Sequence, residues 1–320
     1  MHFLPAPTKR SPRLGYAFAA TAATLWALNG SLSRSLLDEG MPAVRLSELR
    51  AVCGFVMLAA LLAVRRPALL RIRRADVARL AFLGVFGFAA VNALYYAAIT
   101  RLDIGVALTV QYLGPMLLLI WLKVVHRREL PRGLWAAAAV SVSGCCVVVG
   151  AFHPGSLDGI GLAEAGGAAV AFAVYMYASE RAGQRYAPAT TLVWAFGFAA
   201  VFWAVIEPLW SFPFHDLASA GHFALAAYVV IGGTLIPFGF MMAAVRHVPA
   251  ARAAVVATLE PVLGAVIAWP LHHQILSPGQ IMGVIVVVGA IVCVQTQAPA
   301  AGAEFAPGYG ASRRAAAPVE

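Results

Sequence analysis

The chain alternates between long apolar stretches and short polar or basic segments. We place ten apolar stretches near residues 15–36, 44–64, 80–99, 104–124, 133–151, 160–180, 188–208, 222–245, 251–270 and 278–297. Each has, or nearly has, the ~20 residues with which an α-helix crosses a hydrocarbon core of ~30 Å. Prolines and glycines inside several stretches are compatible with membrane helices, because neighbouring helices satisfy the backbone groups that they free. The pattern predicts an all-α membrane protein with ten transmembrane helices.

The ten stretches form two copies of a five-span unit. Moving residues 15–150 forward by 146 positions aligns them with the second half without a gap. The matched prolines and glycines include Gly15 with Gly161, Pro42 with Pro188, Gly87 with Gly233, Pro115 with Pro261 and Gly133 with Gly279. A period this long differs from that of solenoid repeats and predicts a duplicated half-protein. We assign repeat 1 to 15–150, repeat 2 to 160–297, an N-terminal tail to 1–14 and a disordered tail to 298–320.

Composition and charge support the same class and add an orientation. Hydrophobic residues make up 61% of the chain and charged residues 12%, against roughly 25% charged residues in soluble domains. Lysine and arginine gather before the first stretch and in alternate connections, whereas the opposite connections are nearly bare of them apart from Arg101. The positive-inside rule therefore predicts that both termini are cytoplasmic. The net charge of +9 then reflects topology, and no folded basic domain for nucleic acid is predicted.

The odd number of spans in each repeat predicts a mechanism. A unit that crosses the bilayer an odd number of times forces its second copy to point the opposite way. The halves then form an inverted 5+5 repeat about a pseudo-twofold axis in the membrane plane, and a central cavity can open to alternate sides. This arrangement favours a secondary-active transporter of a small-molecule substrate in the lipid bilayer. The alternatives are uptake or facilitated exchange by the same fold, and an intramembrane lipid-modifying enzyme.

The chain lacks the sequence patterns of an enzyme or an ATP-driven pump. It has no His-Glu-x-x-His sequence, no paired intramembrane aspartates, no nucleophile elbow and no nucleotide-binding loop. Its four cysteines all lie inside apolar stretches, and they predict neither a disulfide framework nor a metal site. We therefore expect no enzymatic activity, no metal and no cofactor. A homo-oligomer is compatible with this pattern, which does not determine the oligomeric state.

Several residues of the duplicated unit resemble one known family. They are Trp26 in the first helix, Arg50 in the second, the glycine-rich third helix that runs into Ala97-Ala98, and Pro115 and Pro261 in the fourth and ninth. With the ten stretches and the duplication, they resemble the EamA family of the drug/metabolite transporter superfamily. The resemblance implies a ten-helix carrier of the bacterial cytoplasmic membrane, with a central cavity and alternating access. Members most often export amino acids or other small metabolites, and the resemblance leaves cargo, direction and coupling ion open.

The repeat also points to residues that line the cavity. At some matched mid-span positions one half is polar or aromatic and its partner differs, which is expected where an asymmetric cavity lies between the halves. The pairs are Gly114 with Glu260, Gln111 with Ala257, Asn92 with Phe238, Asn29 with Tyr175, and Trp26 with Phe172. Divergence by drift is the alternative explanation of each pair. We predict that the cavity is lined by Trp26, Asn29, Asn92, Tyr95, Gln111, Tyr175 and Glu260.

Glu260 is the most informative of these positions. It lies near the middle of the ninth stretch among apolar residues, where an acid costs on the order of 2.5–3.5 kcal/mol and should face protein or water. We hypothesise that Glu260 exchanges protons and couples transport to the proton gradient. The alternative is a structural glutamate bonded to a neighbouring helix. Pro115 and Pro261 remove a backbone donor near this depth, and we predict that they are helix-bending positions.

Three further positions keep two interpretations each. Gln111 suits an amide, carboxylate or amino group of a substrate, or an interhelical hydrogen bond. Tyr95 lies near the outer end of its stretch, where an interfacial aromatic belt is the alternative. Arg50 lies about two turns inside the second stretch, close to Glu48 and Arg45. Snorkelling accounts for Arg45, whereas Arg50 is either an ion-pair partner, which we favour, or a carboxylate-binding group.

Overall fold

The computed structural model describes residues 11–102, 104–148, 158–217, 219–264 and 278–296. Every regular element in these ranges is helical, as the apolar stretches predict. Most of residues 1–14, all of 298–320, and the ends of the fifth and ninth predicted stretches lie outside the described residues. The predictions made for those segments are therefore not addressed by the structure.

Ten helices make up the described part of the chain, and some of them contain a π-helical stretch or an interruption. We number them α1 (Pro12–Asp38), α2 (Ala43–Arg65), α3 (Val77–Phe82, Leu83–Ala89 and Ala90–Arg101), α4 (Ile104–Gln111 and Gly114–Val124), α5 (Arg132–Val148), α6 (Gly159–Gly183), α7 (Pro188–Ile206), α8 (Ala220–Val230, Ile231–Leu235 and Ile236–His247), α9 (Ala250–Ala257 and helical residues 259–264) and α10 (Pro278–Thr296). Short 3₁₀ turns at Pro67–Leu70, Arg74–Asp76, Leu209–Ser211 and Phe214–Leu217 complete the connections.

Six helices in the described part are long and apolar enough to cross a membrane, namely α2, α3, α4, α6, α7 and α8. The apolar parts of α5 and α10, Arg132–Val147 and Ile281–Cys293, are shorter. Helix α1 has 27 residues, but polar side chains such as Asn29 and Ser33 lower its hydropathy, and α9 is described only as far as residue 264. The all-helical membrane fold is confirmed, whereas crossing by all ten helices stays a prediction.

The helix contacts follow the sequence repeat. Helix α1 packs on α8, and the matching pair in the other half, α6 on α3, also packs together. In both contacts the helices approach most closely at a glycine, and the two glycines are matched by the repeat. A Cβ at Gly15 would lie 2.8 Å from His247 Cβ, and a Cβ at Gly161 would lie 2.8 Å from Leu102 Cγ. Small residues therefore let the two helix pairs approach in the same way in both halves.

Helices α3 and α8 both contain a π-helical stretch, at Leu83–Ala89 and Ile231–Leu235. The 146-residue shift superimposes much of one stretch on the other, including Gly87 on Gly233. Gly87 packs against the backbone of Tyr175, and Gly233 packs against the side chain of Asn29. Such stretches are rare and occur frequently at functional sites. The hydrophobic pattern did not predict them, because one extra residue in a turn leaves an apolar segment apolar.

Helices α4 and α9 are interrupted at corresponding depths. The first stretch of α4 ends at Gln111 and the second begins at Gly114, while Thr258 forms a turn inside α9. Pro115 lies in the first turn of the second α4 stretch, where a backbone N–H would have no partner within that stretch in any case. Pro261 likewise follows the turn at Thr258. Both predicted bending positions thus lie just after a break in helical hydrogen bonding.

Candidate functional site

A cavity lies between the two halves of the described structure. The space between its lining side chains amounts to about 450 Å³, which includes open solvent. Side chains from seven helices surround it: Trp26, Asn29, Arg50, Val91, Asn92, Tyr95, Gln111, Phe172, Tyr175, Phe238 and Glu260. The structure therefore brings together all seven residues that the sequence predicts around one cavity. Their role in binding is a proposal that the geometry supports.

Glu260 is buried at the cavity and is held by a residue that the sequence analysis missed. The hydroxyl of Tyr112 donates to Glu260 Oε2 over 2.6 Å, and the Tyr112 side chain is 1% exposed. Tyr112 lies in the interruption of α4 directly after Gln111. In an unbroken helix, adjacent side chains point about 100° apart. The break in α4 is compatible with Gln111 lining the cavity while Tyr112 contacts Glu260 beside it. The matched position in repeat 2 is Thr258, which is also polar, so a search for contrasting pairs does not select Tyr112.

Arg50 reaches the cavity from α2 and is anchored by neutral groups on two other helices. Its Nε donates to Thr234 Oγ1 over 2.6 Å, and its Nη2 donates to the Gly233 carbonyl oxygen over 2.9 Å. Its Nη1 donates to the hydroxyl of Tyr96, whose ring centroid lies 5.2 Å from the guanidinium carbon. Gly233 and Thr234 belong to the π-helical stretch of α8. The irregular turn of α8 thus contributes directly to the position of the buried cation.

The other charges near the start of α2 form a separate ion-pair cluster. Arg45 lies 2.7 Å from Glu48 and 2.9 Å from Glu207, the residue directly after α7, and it donates to Ser211 Oγ over 2.6 Å. Arg45 is buried, so snorkelling is the wrong explanation of this residue, because two carboxylates satisfy it within the protein. The ion-pair partner favoured for Arg50 is also wrong for the described residues. The nearest acid on its own helix, Glu48, is committed to Arg45.

Polar groups on α1 and α3 form a short hydrogen-bonded ring beside Arg50. Asn29 Nδ2 donates to the hydroxyl of Tyr96 over 3.4 Å, Ser33 Oγ donates to Asn29 Oδ1 over 3.2 Å, and the Ser33 and Tyr96 hydroxyls lie 2.9 Å apart. Asn92 Nδ2 donates to the Phe88 carbonyl one turn earlier on α3, over 2.7 Å. Both amides are therefore engaged by the protein, and both side chains also line the cavity.

Aromatic rings form the apolar wall of the cavity. Phe238 meets Trp26 edge-on with ring centroids 5.1 Å apart, and it meets Tyr175 at 5.2 Å and Phe88 at 4.8 Å. Phe238 and Phe172 are the repeat partners of Asn92 and Trp26, and all four line the cavity. The comparison of the two halves found the matched pairs that line the cavity. The prediction kept only Asn92 and Trp26 from these pairs, and it therefore missed Phe238 and Phe172.

A second group of buried charges joins α6, α9 and the α4–α5 connection, at the helix ends predicted to face the cytoplasm. Arg128 and Glu180 form a buried ion pair with a separation of 3.6 Å. Glu180 Oε2 also accepts from the backbone N–H of Ala250, at the start of α9, over 2.9 Å. Arg252 in the same turn of α9 is fully buried and donates to the hydroxyl of Tyr16 over 3.4 Å. This cluster connects parts of both repeats away from the cavity.

Metal-ligating side chains do not cluster in the described ranges, where no three His, Cys, Asp or Glu residues lie close enough to hold an ion. The four cysteines all lie in the described ranges and form no disulfide there, and they range from buried at Cys145 to exposed at Cys293. The side chains around the cavity offer charge, hydrogen bonds and aromatic surface for recognition.

Comparison with known proteins identifies two copies of one family pattern. The model of the EamA-like transporter family matches residues 13–150 and again residues 159–296. The threonine/homoserine exporter RhtA of Escherichia coli strain K12 is 26% identical over 268 residues, which cover 82% of this chain and 83% of that protein. The uncharacterized inner membrane transporter YicL of Salmonella typhimurium strain LT2 is 21% identical over 290 residues, which cover 89% and 96%.

A solved crystal structure shares the fold. It superposes with a TM-score of 0.72 at 19% sequence identity, over 88% of this chain and 96% of that chain. Fold, repeat and family pattern agree, and the resemblance read from the sequence is confirmed. The chain belongs to the EamA-like transporter family and is a membrane transporter.

Proposed function

We propose that the protein is a secondary-active carrier that exports small polar metabolites, amino acids foremost, across the bacterial cytoplasmic membrane. The observation that carries this proposal is the cavity between the repeats, which places a buried cation, Arg50, and a buried acid, Glu260, among hydrogen-bonding and aromatic side chains. A zwitterion presents both charges and can be recognised by such a pair. The relatives named as threonine/homoserine exporters support amino acids as the first cargo to test.

The proposed transport cycle depends on ten spans arranged as an inverted repeat, with both termini in the cytoplasm. The matching contacts of α1 with α8 and of α6 with α3 support the pseudo-twofold relation. Reporter fusions at residues 40 and 217 should then report an outer location, and fusions at 70 and 184 an inner one. A fusion at 184 that reports outside would disprove the inverted arrangement, because the start of repeat 2 would then have the wrong orientation.

Export can be tested in cells with and without the protein. Loading the cells with threonine- or homoserine-containing dipeptides raises the internal amino acid, and its appearance outside is measured over time. Faster appearance in cells with the protein is expected. An untargeted comparison of internal and external metabolites extends the test to other cargo. Identical profiles in both strains, with the protein present in the membrane, would contradict export.

Proton coupling at Glu260 is the energetic part of the proposal. Glu260→Gln keeps the shape of the side chain and removes its titration, so it should abolish accumulation driven by a proton gradient in proteoliposomes. The matched control is Glu164→Gln on α6, because Glu164 is partly exposed and pairs with Arg101 outside the cavity. The control should transport like the unmodified protein. If Glu260→Gln still concentrates cargo against its gradient, Glu260 is structural.

The same vesicles separate active efflux from facilitated exchange. A carrier coupled to protons loses concentrative transport when an ionophore collapses the proton gradient, whereas an exchanger retains its counterflow of labelled for unlabelled cargo. We expect concentrative transport to be lost and counterflow to remain. Concentration of cargo after the gradient has been collapsed would refute proton coupling.

A further inference from the structure

Arg50 is a buried cation without a carboxylate partner in the described part of the chain. Its side chain is almost fully buried, and no acid among the described residues lies within 4.0 Å of its nitrogens. The groups that hold it, Thr234, Gly233 and Tyr96, are all neutral. A buried charge is costly unless it is paired. A position that keeps such a charge at the wall of a cavity is suited to an anion that arrives with the cargo.

The hydrogen bonds of Arg50 leave two donors for that anion. A guanidinium carries five N–H groups in one plane. Nε uses its single hydrogen on Thr234, Nη1 uses one on Tyr96, and Nη2 uses one on Gly233. One N–H therefore remains on each terminal nitrogen, and Arg50 lines the cavity. Two N–H groups of one guanidinium can bind the two oxygens of a carboxylate.

The anchors of Arg50 are themselves committed within the protein. The Tyr96 oxygen accepts from Arg50 and from Asn29, so its own hydrogen is directed to Ser33, which in turn donates to Asn29. Thr234 accepts from Arg50 and donates its hydroxyl hydrogen to the Val229 carbonyl over 2.6 Å. Neither hydroxyl has a hydrogen left for a ligand. The guanidinium is thus held in one orientation before cargo arrives, which lowers the entropy cost of binding.

Three other polar atoms at the cavity lack hydrogen-bond partners in the described structure, namely the hydroxyl oxygens of Tyr95 and Tyr175 and Oε1 of Gln111. Tyr95 and Gln111 are each 8% exposed. Buried polar groups of proteins are normally hydrogen-bonded, so three unpartnered atoms at one cavity suit a polar ligand. The Tyr95 hydroxyl can donate to a carboxylate, whereas Gln111 Oε1 accepts, as does the Glu260 carboxylate, and both suit an ammonium group.

We propose that Arg50 is the carboxylate-binding group of the cavity, so that the carrier accepts solutes with a free carboxylate and rejects their amides and esters. The two remaining N–H groups of Arg50 and the Tyr95 hydroxyl bind the carboxylate, and Gln111 and Glu260 face the amino group when the cargo has one. This inference rests on the proposed function, because it assumes that the cavity is where cargo binds. It goes further by naming the group that every cargo must carry.

The test uses the purified full-length protein in proteoliposomes that exchange labelled for unlabelled L-threonine. The competitors are L-threonine, L-threoninamide, L-threonine methyl ester and 3-hydroxybutyrate, which keeps the carboxylate and lacks the amino group. We expect the amide and the ester to compete at least about tenfold more weakly than threonine. An amide or ester that competes as well as threonine overturns the carboxylate site and leaves amino-acid transport intact.

If threonine is not exchanged, a panel of labelled amino acids and organic acids replaces it. Exchange of a carboxylate-bearing solute without an amino group, and not of its amide, supports the Arg50 site while contradicting the amino-acid cargo. Exchange confined to amines or neutral solutes overturns the site. The two proposals can therefore fail separately.

Variants at Arg50 and Thr234 test carboxylate binding by changing the protein instead of the substrate. Arg50→Lys keeps the charge and loses the planar pair of donors, so the KM for threonine should rise about tenfold and the preference for threonine over its amide should shrink. Thr234→Val removes the acceptor of Nε and should raise KM more than it lowers the maximal rate, and Thr234→Ser, which keeps the hydroxyl, should restore it.

The Thr234 pair keeps the test decisive if Arg50→Lys does not reach the membrane. Thr234 acts through Arg50 as a positioning residue, so its effect must appear in the ratio of acid to amide competition and not merely in protein abundance. A Thr234→Val protein that is present in normal amounts, with KM and acid preference unchanged, overturns the proposal. An Arg50→Lys protein with unchanged acid preference does the same.

Discussion

Tyr112 donates its phenolic hydrogen to Glu260 over 2.6 Å, and this bond joins the two interrupted helices, α4 and α9. Each partner lies at or just after the break in its own helix. The Pro115 and Pro261 positions follow the same breaks. A change in the angle of either helix half must therefore shorten, lengthen or break a hydrogen bond to a buried carboxyl group.

The strength of this bond can be measured with a double-mutant cycle. Tyr112→Phe and Glu260→Leu, which leaves no acceptor for the Tyr112 hydroxyl, alone and combined, should give a coupling energy of about 1–2 kcal/mol in the free energy of unfolding in detergent. The control is Tyr95→Phe, because the Tyr95 hydroxyl has no partner in the described structure and its removal should change stability little. Additive effects of Tyr112→Phe and Glu260→Leu would show that the two side chains do not interact in solution.

The closeness of α4 and α6 predicts a steric penalty at Gly114. A Cβ there would lie 2.9 Å from Phe172 Cδ1 and 3.0 Å from the Ala169 carbonyl oxygen. The backbone oxygen cannot rotate away, so Gly114→Ala should cost about 1–3 kcal/mol of stability. Gly166→Ala on α6 is the matched control, since nothing lies within 4 Å of its added Cβ. It should be neutral or stabilising, because alanine favours helix. Equal stability of both variants would argue against the α4–α6 contact.

The buried pair of Glu180 and Arg128 predicts a large loss of stability when one charge is removed. Glu180→Gln removes the acid of this buried pair and weakens the acceptor of the Ala250 N–H, so the loss should be about 3 kcal/mol or more. Glu164→Gln removes the acid of a partly exposed pair with Arg101 and should cost below about 1 kcal/mol. Thermal unfolding of the two purified variants provides the comparison. Similar losses of stability in the two variants would mean that burial does not determine how much each ion pair contributes.

His126 gives the α4–α5 connection a pH dependence. Its ring stacks on Tyr177 with centroids 5.0 Å apart, and its Nε2 lies 2.6 Å from the Tyr177 hydroxyl. Because that hydroxyl already accepts from Arg181 over 2.7 Å, its own hydrogen can go to Nε2 only while the imidazole is neutral. Partial burial, together with the nearby charges of Arg128 and Arg181, lowers the pKa of His126.

The sign of the effect follows from the lowered pKa. In the unfolded chain histidine titrates near ~6.5, so below that pH the unfolded state binds more protons than the folded state. Stability should therefore fall as pH drops below about 6.5 and level off beneath the folded pKa. Thermal unfolding at about pH 7.5 and about pH 5.5 measures the change. His126→Gln does not titrate and should show a smaller change, and an equal change in both proteins would contradict the assignment.

The linear pattern of the chain was enough for the class, the repeat and most of the cavity. Apolar length predicts membrane helices wherever they lie in the fold, because a bilayer acts on each helix separately. The duplication is a comparison of the chain with itself and needs no coordinates. Contrasts between matched positions, such as Asn29 with Tyr175 and Gln111 with Ala257, identified side chains that the structure places at one cavity.

The partners of those side chains were decided by the tertiary structure alone. Tyr112 reaches Glu260 because α4 breaks, and Arg50 is held by Gly233 and Thr234 because α8 contains a π-helical stretch. Both depend on how far one helix is rotated against another, which periodicity along one helix does not contain. For the same reason the sequence suggested an ion pair for Arg50. In the structure Glu48 pairs with Arg45, and Arg50 lines the cavity.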